Sequence, residues 1–318
     1  MPNSSGVLTA KGGFLSQTFR ETGAIGLARK LFAAARMGIS MSILRRRTNK
    51  SVGAYFDLIT DDARMFYGDN FHFGYFITGN ETLSEAHDNH TDLVAKMAGI
   101  TSGSRVLDIG CGICAPATRI ASAYDAKFTC INISAEQVRQ AKRLVKEQGL
   151  THAIDVLESN AFSLEFKENS FDSVLCLEVA GDICVNEKQK NLLVCQMKRV
   201  LKGGGRVGFS DLVFHSRPTR AEERAMRTIL YHQGEELITN WPKIFSDNGF
   251  VIKDEMDILP QTTKTWAHSI SVYEDRFEEV CARYGKKIAR STVEQLRQLP
   301  EILGRHAAFV VMSAEKIC

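Results

Sequence analysis

From about residue 83 the chain alternates between two hydrophobic rhythms. Short apolar runs occur at Arg105–Ile109, Lys127–Ile133, Ile154–Glu158, Phe171–Leu177, Gly205–Phe214, Phe250–Met256 and Ala307–Ser313. Between several of them, at Leu83–Ala98, Ala117–Ser122, Ala135–Gln148 and Lys188–Val200, apolar residues return at helical spacing. Short continuous runs suit strands buried on both faces, and the amphipathic stretches suit helices that cover them, so the pattern predicts an α/β chain built on a parallel sheet. The stretches near 217–246 and 260–305 are longer than ordinary crossovers and are expected to be helical insertions that cover the sheet as a lid. Upstream, Leu27, Leu31, Ala34, Ala35 and Ile39 fall along one side of an amphipathic stretch within Leu15–Leu44, which predicts one or two helices. Residues 54–76 are dense in aromatics, a pattern that calls for burial or a ligand. The chain thus divides into residues 1–82, a helical arm with an aromatic segment, and residues 83–318, the sheet domain.

Composition narrows the class. With 44% hydrophobic and 24% charged residues in 318, the chain can build a core, which excludes a disordered or fibrous protein. The net charge of +3 conceals an asymmetry: residues 1–50 carry nine Lys/Arg against Glu21 and sum to +8, leaving −5 for the rest. Such an arm suits an anionic ligand, a membrane surface or plain solvation. Because the basic residues sit in one arm and the remainder is acidic, nucleic acid is not expected as a partner. Eight cysteines are too sparse for a disulfide scaffold. No apolar window approaches the ~20 residues of a membrane span, so a soluble, cytoplasmic protein without membrane insertion is expected.

The strongest local signal is RVLDIGCGICAPATRIA at residues 105–121: a strand, Asp108, the string Gly110-x-Gly112-x-x-Ala115, then a helix. Glycines there let the backbone turn tightly and approach a ligand beside a helix N-terminus, as nucleotide sites require. The string alone fits a dinucleotide turn equally well. Neighbouring residues discriminate. Asp108 at the strand end suits a cationic amino group better than a pyrophosphate, and the position where an NAD site wants an acid for the ribose is the neutral Asn132. Cys111 and Cys114 form a C-x-x-C, a spacing that suits redox or zinc chemistry, but no second C-x-x-C or nearby Cys/His pair completes four metal ligands, and Cys111 suits the small-residue slot of the loop. No resident metal is expected.

With ESNAFSLEF, SFDSVLCLEV and RVLKGGGRV following in order, the chain resembles the class I S-adenosylmethionine (SAM) dependent methyltransferases from about residue 83 to 214, more weakly beyond. The resemblance implies a Rossmann-like, seven-stranded methyltransferase sheet with SAM as cofactor. It places Asp108, Gly110, Cys111 and Gly112 at the methionine end, Asn132, Ile133 and Gln137 at the ribose or adenine, and Asn160 and Ala161 by the adenine. Asn160 departs from the family's usual Asp.

The string Tyr67-Gly68-Asp69-Asn70-Phe71-His72-Phe73-Gly74-Tyr75-Phe76 is similar to a segment shared by the cyclopropane-fatty-acid, sterol and tocopherol methyltransferases. In such enzymes an alkene attacks the methyl group, and the resulting carbocation needs aromatic faces and a carboxylate. Glu178, just past the fourth strand, is the expected carboxylate, with His72, Tyr67 and Tyr75 as catalytic candidates. Phe71, Tyr55, Trp266, Tyr231 and His232 are acceptor-site candidates. Arg45, Arg46 and Lys50 would suit a diphosphate, so the chain is most like bacterial prenyl diphosphate C-methyltransferases, farnesyl diphosphate being the expected acceptor and magnesium a companion that could arrive with it. Alternatives are methylation of a sterol-like or quinone-like lipid, O- or N-methylation of a secondary metabolite with His72 or His232 as base, a cyclopropane synthase-like lipid enzyme, and a SAM-binding domain without catalysis. Chain length of the acceptor and oligomeric state are left open.

Overall fold

The computed structural model describes residues 49–226, 230 and 238–317. Its strands are β1 (Arg105–Ile109), β2 (Lys127–Asn132), β3 (Ile154–Glu158), β4 (Phe171–Leu177), β5 (Leu201–Phe214), β6 (Phe250–Asp257) and β7 (Ala307–Lys316). They form one sheet in the order β3-β2-β1-β4-β5-β7-β6. The first five pair in parallel, and β7 inserts antiparallel between β5 and β6. The order reverses between β1 and β4, the switch point where open α/β sheets bind ligands at the carboxyl ends of their strands.

Alternate residues of each strand feed two separate cores, which explains the continuous apolar runs. Val106 and Leu175 pack on one face, while Leu107, Val174 and Cys176 pack on the other with Leu193, Met197, Trp241 and Phe245. The helices of the first half are α1 (Asn49–Tyr67), α2 (Leu83–Met97), α3 (Ala115–Tyr124), α4 (Ala135–Glu147), α5 (Ala180–Ile183) and α6 (Glu187–Val200). Local chemistry sets their starts: Thr82 and Glu85 make a capping box on α2, Ser134 caps α4 and Asn186 caps α6. At the other end of α2, Ser313 and Ser173 donate to the carbonyls of Met97 and Ala98, so the sheet itself satisfies that terminus.

The later helices are α7 (Arg220–Met226) and α8 (Trp241–Asp247) between β5 and β6, then α9 (Leu259–Thr262), α10 (Lys264–Asp275), α11 (Phe277–Tyr284) and α12 (Lys286–His306) between β6 and β7. These are the expected insertions. α1 is held between α4 and this second group. Asp57 accepts from Ser134 and from the Glu136 amide, Gln140 donates to Asp61, Phe66 stacks on Tyr273 at 4.4 Å, and Tyr284 donates to Asp62. A Cβ on Gly53 would lie 2.8 Å from the Ile133 carbonyl oxygen, so glycine permits α1 to rest directly on the end of β2. The helices expected within Leu15–Leu44 lie outside the described residues, as do Arg45, Arg46, Tyr231 and His232.

Two strand boundaries differ from expectation by more than one residue. β5 starts at Leu201, not Gly205, because the glycines belong to a strand irregularity: the register jumps between Phe171 and Ser173, and a Cβ on Gly205 would meet the Asp172 carbonyl at 2.7 Å. β7 runs to Lys316, paired with Phe250. Among the described residues no helix is long and apolar enough to cross a membrane.

The α2 contact with β5 is the tightest approach of a described glycine to backbone, since a Cβ on Gly208 would lie 2.3 Å from the Val94 carbonyl oxygen. Gly208→Ala must lift α2 from the sheet and is expected to lower unfolding free energy by roughly 1–3 kcal/mol. Urea unfolding measures this, and an unchanged midpoint would refute it.

Candidate active site

Two cavities meet at the carboxyl ends of β1, β2 and β4. The first, about 760 Å³, is built on the loop after β1. Gly110 and Gly112 take left-handed φ of 72° and 54°. The Gly110 and Cys111 amides both donate to the Ile131 carbonyl, at 2.9 and 3.1 Å. On the opposite side the loop touches Val179, whose side chain would lie 2.5 Å from a Cβ on Gly110. Only glycine fits this pinch.

Gly110, Gly112, Asn132, Ile133, Gln137, Asn160 and Ala161 all line this first cavity, as expected. Asn132 is locked by donating to Gln137 at 2.7 Å and accepting from the Ser134 amide at 3.0 Å, while Asn160 accepts from the Phe162 amide. Asp108 and Cys111 do not line the cavity. Both lie buried behind the loop, where burial pushes the Asp108 carboxyl well above the usual range. Val52 and Phe56 of α1, Ser159, Phe162 and Ile183 complete the wall, and no sequence motif marked them.

The second cavity, about 940 Å³, lies against the first and shares Phe56, Phe71, Gln137, Glu178 and Asp182 with it. Tyr55, Tyr67, Phe73, Trp266 and His72 line it as well. Of the expected acceptor residues, Tyr55, Phe71 and Trp266 therefore converge here. Tyr75 does not: it lies two residues further along the strap, its ring packed on the core and its amide donating to the Ala86 carbonyl. Lys50 is the second residue of α1, and its side chain lies outside the described set.

Glu178 stands at the junction of the two cavities. It is a non-glycine residue at φ 55°, a conformation that is sterically costly and clusters at functional sites. Its Oε1 accepts the Phe73 amide at 2.7 Å. Burial pushes its carboxyl well above the usual range, partly offset by that N–H. The Phe73 carbonyl in turn accepts from Nδ1 of His72 at 2.9 Å and Nδ1 of His90 at 2.8 Å. His72 also meets Thr91 through Nε2 at 3.4 Å, and it packs edge-on against His87 and His90. Burial lowers all three imidazoles, His87 and His90 to about 4, so the cluster is neutral at pH 7. The 3.6 Å approach of His90 to Glu178 is therefore a polar contact without an ion pair.

Two further carboxylates line the second cavity and were not anticipated: Asp182, from α5, and Asp211, from β5. Burial raises both. Asp211 reaches only about 7 because the amides of Gly181 and Leu212, the Trp241 indole and the charge of Lys190 oppose the effect. Its Oδ2 and the Trp266 indole N–H have no hydrogen-bond partner among the described residues. No Lys or Arg is among the described residues lining either cavity. A cation-free aromatic lining, among the described residues, with the buried Asp211 and the half-buried Glu178 and Asp182 suits an acceptor that is neutral and becomes cationic.

Among the described residues, two sets of side chains lie close enough to share an ion: Cys111, Cys114 and Cys130, and His72, His90 and Glu178. Neither is the oxygen-rich set that magnesium takes. Nothing in the described site supports the expected magnesium.

The model of the mycolic acid cyclopropane synthetase family matches residues 45–301. The 27-O-demethylrifamycin SV methyltransferase of Amycolatopsis mediterranei is 27% identical over 74% of this chain and 86% of its own. The sterol 24-C-methyltransferase of Aspergillus fumigatus is 32% identical over 48% of this chain and 40% of its own. Among solved structures, the cyclopropane synthase MmaA2 of Mycobacterium tuberculosis superposes with a TM-score of 0.73 over 83% of this chain and 97% of that one, at 17% identity.

The Asp211 carboxyl ionises near about 7 in the folded protein and near ~3.9 in the unfolded chain. Between these values the folded state holds a proton that the unfolded chain has released, so this group's contribution to stability falls as pH rises and levels off above about 7. Asp211→Asn removes that dependence. The unfolding free energy of the variant minus wild type is expected to grow by about 1 kcal/mol per pH unit from pH ~5 to ~7, then flatten. Urea titrations across this range decide it, and a difference constant with pH would show the carboxyl ionised throughout.

Proposed function

The chain belongs to the mycolic acid cyclopropane synthetase family and has the fold of the SAM-dependent methyltransferases, and from that premise we propose that it methylates an alkene carbon of a lipid-like, isoprenoid acceptor. The observation that carries this reading is the position of Glu178, shared by a glycine-walled cavity and an aromatic, acid-lined one. The first cavity fits SAM: its glycine cradle leaves no room for a side chain, its polar wall is Asn132 and Gln137, and Ala161 and Phe162 offer an apolar slot for a purine. SAM supplies an electrophilic methyl group.

Within the second cavity Phe71 and Tyr67 present ring faces to the alkene. When the alkene has taken the methyl group, the positive charge lies on the adjacent substrate carbon. The rings and the Glu178 carboxylate stabilise it, with Asp182 and Asp211 adding negative potential. Glu178 then accepts the proton from a neighbouring carbon, giving a product one CH₂ heavier, unless the cation cyclises first. The Phe73 N–H keeps that carboxylate aimed at the chamber.

The acid-lined, cation-free wall favours a neutral sterol-like or quinone-like lipid over a diphosphate. The prenyl diphosphate version, farnesyl diphosphate included, rests on Arg45, Arg46 and Lys50. These precede and open α1, whose Val52 and Tyr55 line the two cavities. An O-methylation like that named for the rifamycin relative would call for His72 as base, but both of its ring nitrogens already have partners inside the protein.

The test is incubation with SAM and a panel: an alkene-bearing sterol, a prenylated quinone, and geranyl, farnesyl and geranylgeranyl diphosphate. A product heavier by one CH₂ is expected, and turnover of none of them would defeat the alkene reading. Glu178→Gln should lower turnover by about 100-fold or more while SAM affinity stays within ~2-fold. Turnover of a phenol or amine that is indifferent to this substitution would favour O- or N-methylation. If the acceptor is a diphosphate, Arg45→Glu with Arg46→Glu raises its KM by about tenfold or more and leaves SAM affinity alone. An unchanged KM would remove the arm from the site.

A further inference from the structure

Three free thiols converge behind the glycine loop. Cys111 and Cys114 come from the loop itself and Cys130 from the middle of β2, and their sulfur atoms all lie within 4.8 Å of one another. All three are buried. The Cys114 amide donates to the Cys111 carbonyl at 2.8 Å, closing a turn that brings the two cysteines to disulfide range. Cys114 is also the residue before α3, at a left-handed φ of 70° with no side-chain cap, so its sulfur sits at the amide-rich end of a helix. The neighbouring Cys111 and Cys130 thiols draw the Cys114 thiol below the usual range against the opposing effect of burial, so Cys114 is the first of the group to ionise.

We propose that Cys111 and Cys114 form an oxidisable dithiol whose closure to a disulfide, under a peroxide, disables the cofactor cavity. The proposal goes beyond the methyltransferase reading and rests on it only in taking the first cavity as the SAM site. The chemistry balances with peroxide as the single oxidant. The Cys114 thiolate attacks one peroxide oxygen, the O–O bond breaks, and a sulfenic acid forms as the departing hydroxide takes a proton to become water. The Cys111 thiol then attacks that sulfur, the S–O bond breaks, a second water leaves and the S–S bond forms. Two thiols lose two electrons and hydrogen peroxide gains them.

The coupling to the cavity is mechanical. Cys111 lies between Gly110 and Gly112, which wall the cavity, and its amide is fixed to the Ile131 carbonyl. Val179 closes against Gly110, and Phe71 lies 3.5 Å from where a Cβ of Gly112 would sit. Drawing the two sulfurs together to ~2.05 Å displaces the intervening Gly112 and Ile113, and that wall has no slack. A ligand seated against Gly110 and Gly112 holds the loop in place, so bound SAM slows oxidation of the pair. Cys130, within reach of both sulfurs, can exchange into the disulfide but leaves the group oxidised, so reopening the loop takes an external dithiol.

Hydrogen peroxide treatment of the whole protein, followed by alkylation and tryptic mapping, reads the site directly. Both cysteines fall in the peptide Val106–Arg119, and Cys130 falls in the next cysteine-bearing one, Phe128–Arg139. The expected result is Val106–Arg119 lighter by two hydrogens, SAM affinity by calorimetry reduced tenfold or more, recovery with dithiothreitol, and slower oxidation when SAM is present. Cys114→Ala should leave SAM affinity indifferent to peroxide. Oxidation confined to Cys195, Cys281 or Cys318, or a mapped Cys111–Cys114 disulfide with unchanged SAM affinity, would overturn the proposal. If the reduced protein does not bind SAM at all, the cofactor reading fails, and peptide mapping still decides whether the dithiol exists.

Discussion

The backbone of Phe73 is the joint on which the site depends. Its N–H holds Glu178 at 2.7 Å and its carbonyl is held by His72 and His90, so one residue links the segment after α1, the tip of β4 and the face of α2. The N–H and the carbonyl belong to successive planar peptide units, so fixing the carbonyl limits the directions in which the N–H can meet the carboxylate. The imidazoles serve by carrying a proton on Nδ1, and their burial keeps them neutral. A charged histidine beside Glu178 would form an ion pair and neutralise the carboxylate that the chamber presents. Keeping these rings neutral leaves Glu178 free to answer charge on the acceptor.

Three wholly or partly buried acids, with no cation among the described lining residues, would be costly if all were ionised at once, and the folded chain avoids this by raising their proton affinity. The chamber can therefore hold few charges when empty and more when a positive charge arises inside it. A cation lowers the proton affinity of every carboxyl around it, so negative potential grows with the charge it must stabilise. This economy separates a site for a transient cation from one for a permanent anion. It is why the described wall fits a neutral lipid better than a diphosphate.

Much of the fold was legible because buried parallel strands carry an unusually plain pattern. Every expected strand exists, and the residues around Gly110, Asn132 and Asn160 could be placed because short motifs sit at strand ends. Glu178 was legible for the same reason. What stayed hidden depends on contacts between distant segments. Asp211 looks like a polar residue in a strand, and only the sheet order places it beside Asp182. Val52 and Phe56 are ordinary helix residues until Gly53 lets α1 settle on β2. Asp108 reads as a ligand from its place before the glycines, yet its side chain turns into the protein behind the loop. Tyr75 shares the aromatic string with Phe71 and Phe73, but the strap turns it onto the core. The glycines at 203–205 mimic a turn, whereas the register break lets them serve as strand.

The two cavities cannot be considered independent, because they share the side chains of Phe56, Phe71, Gln137, Glu178 and Asp182. Phe71 lies against the Gly112 turn and borders both cavities, and Phe56 of α1 borders both as well. Each ring is packed on both sides only when both spaces are filled. Occupying the first cavity therefore firms the wall of the second. The acceptor then meets a shaped surface after the cofactor is in place, and Glu178, tethered through Phe73, stands where the two ligands would touch. The resulting preference for cofactor first follows from packing alone, and it leaves the reactive carbon exposed to the methyl donor only in the complete assembly.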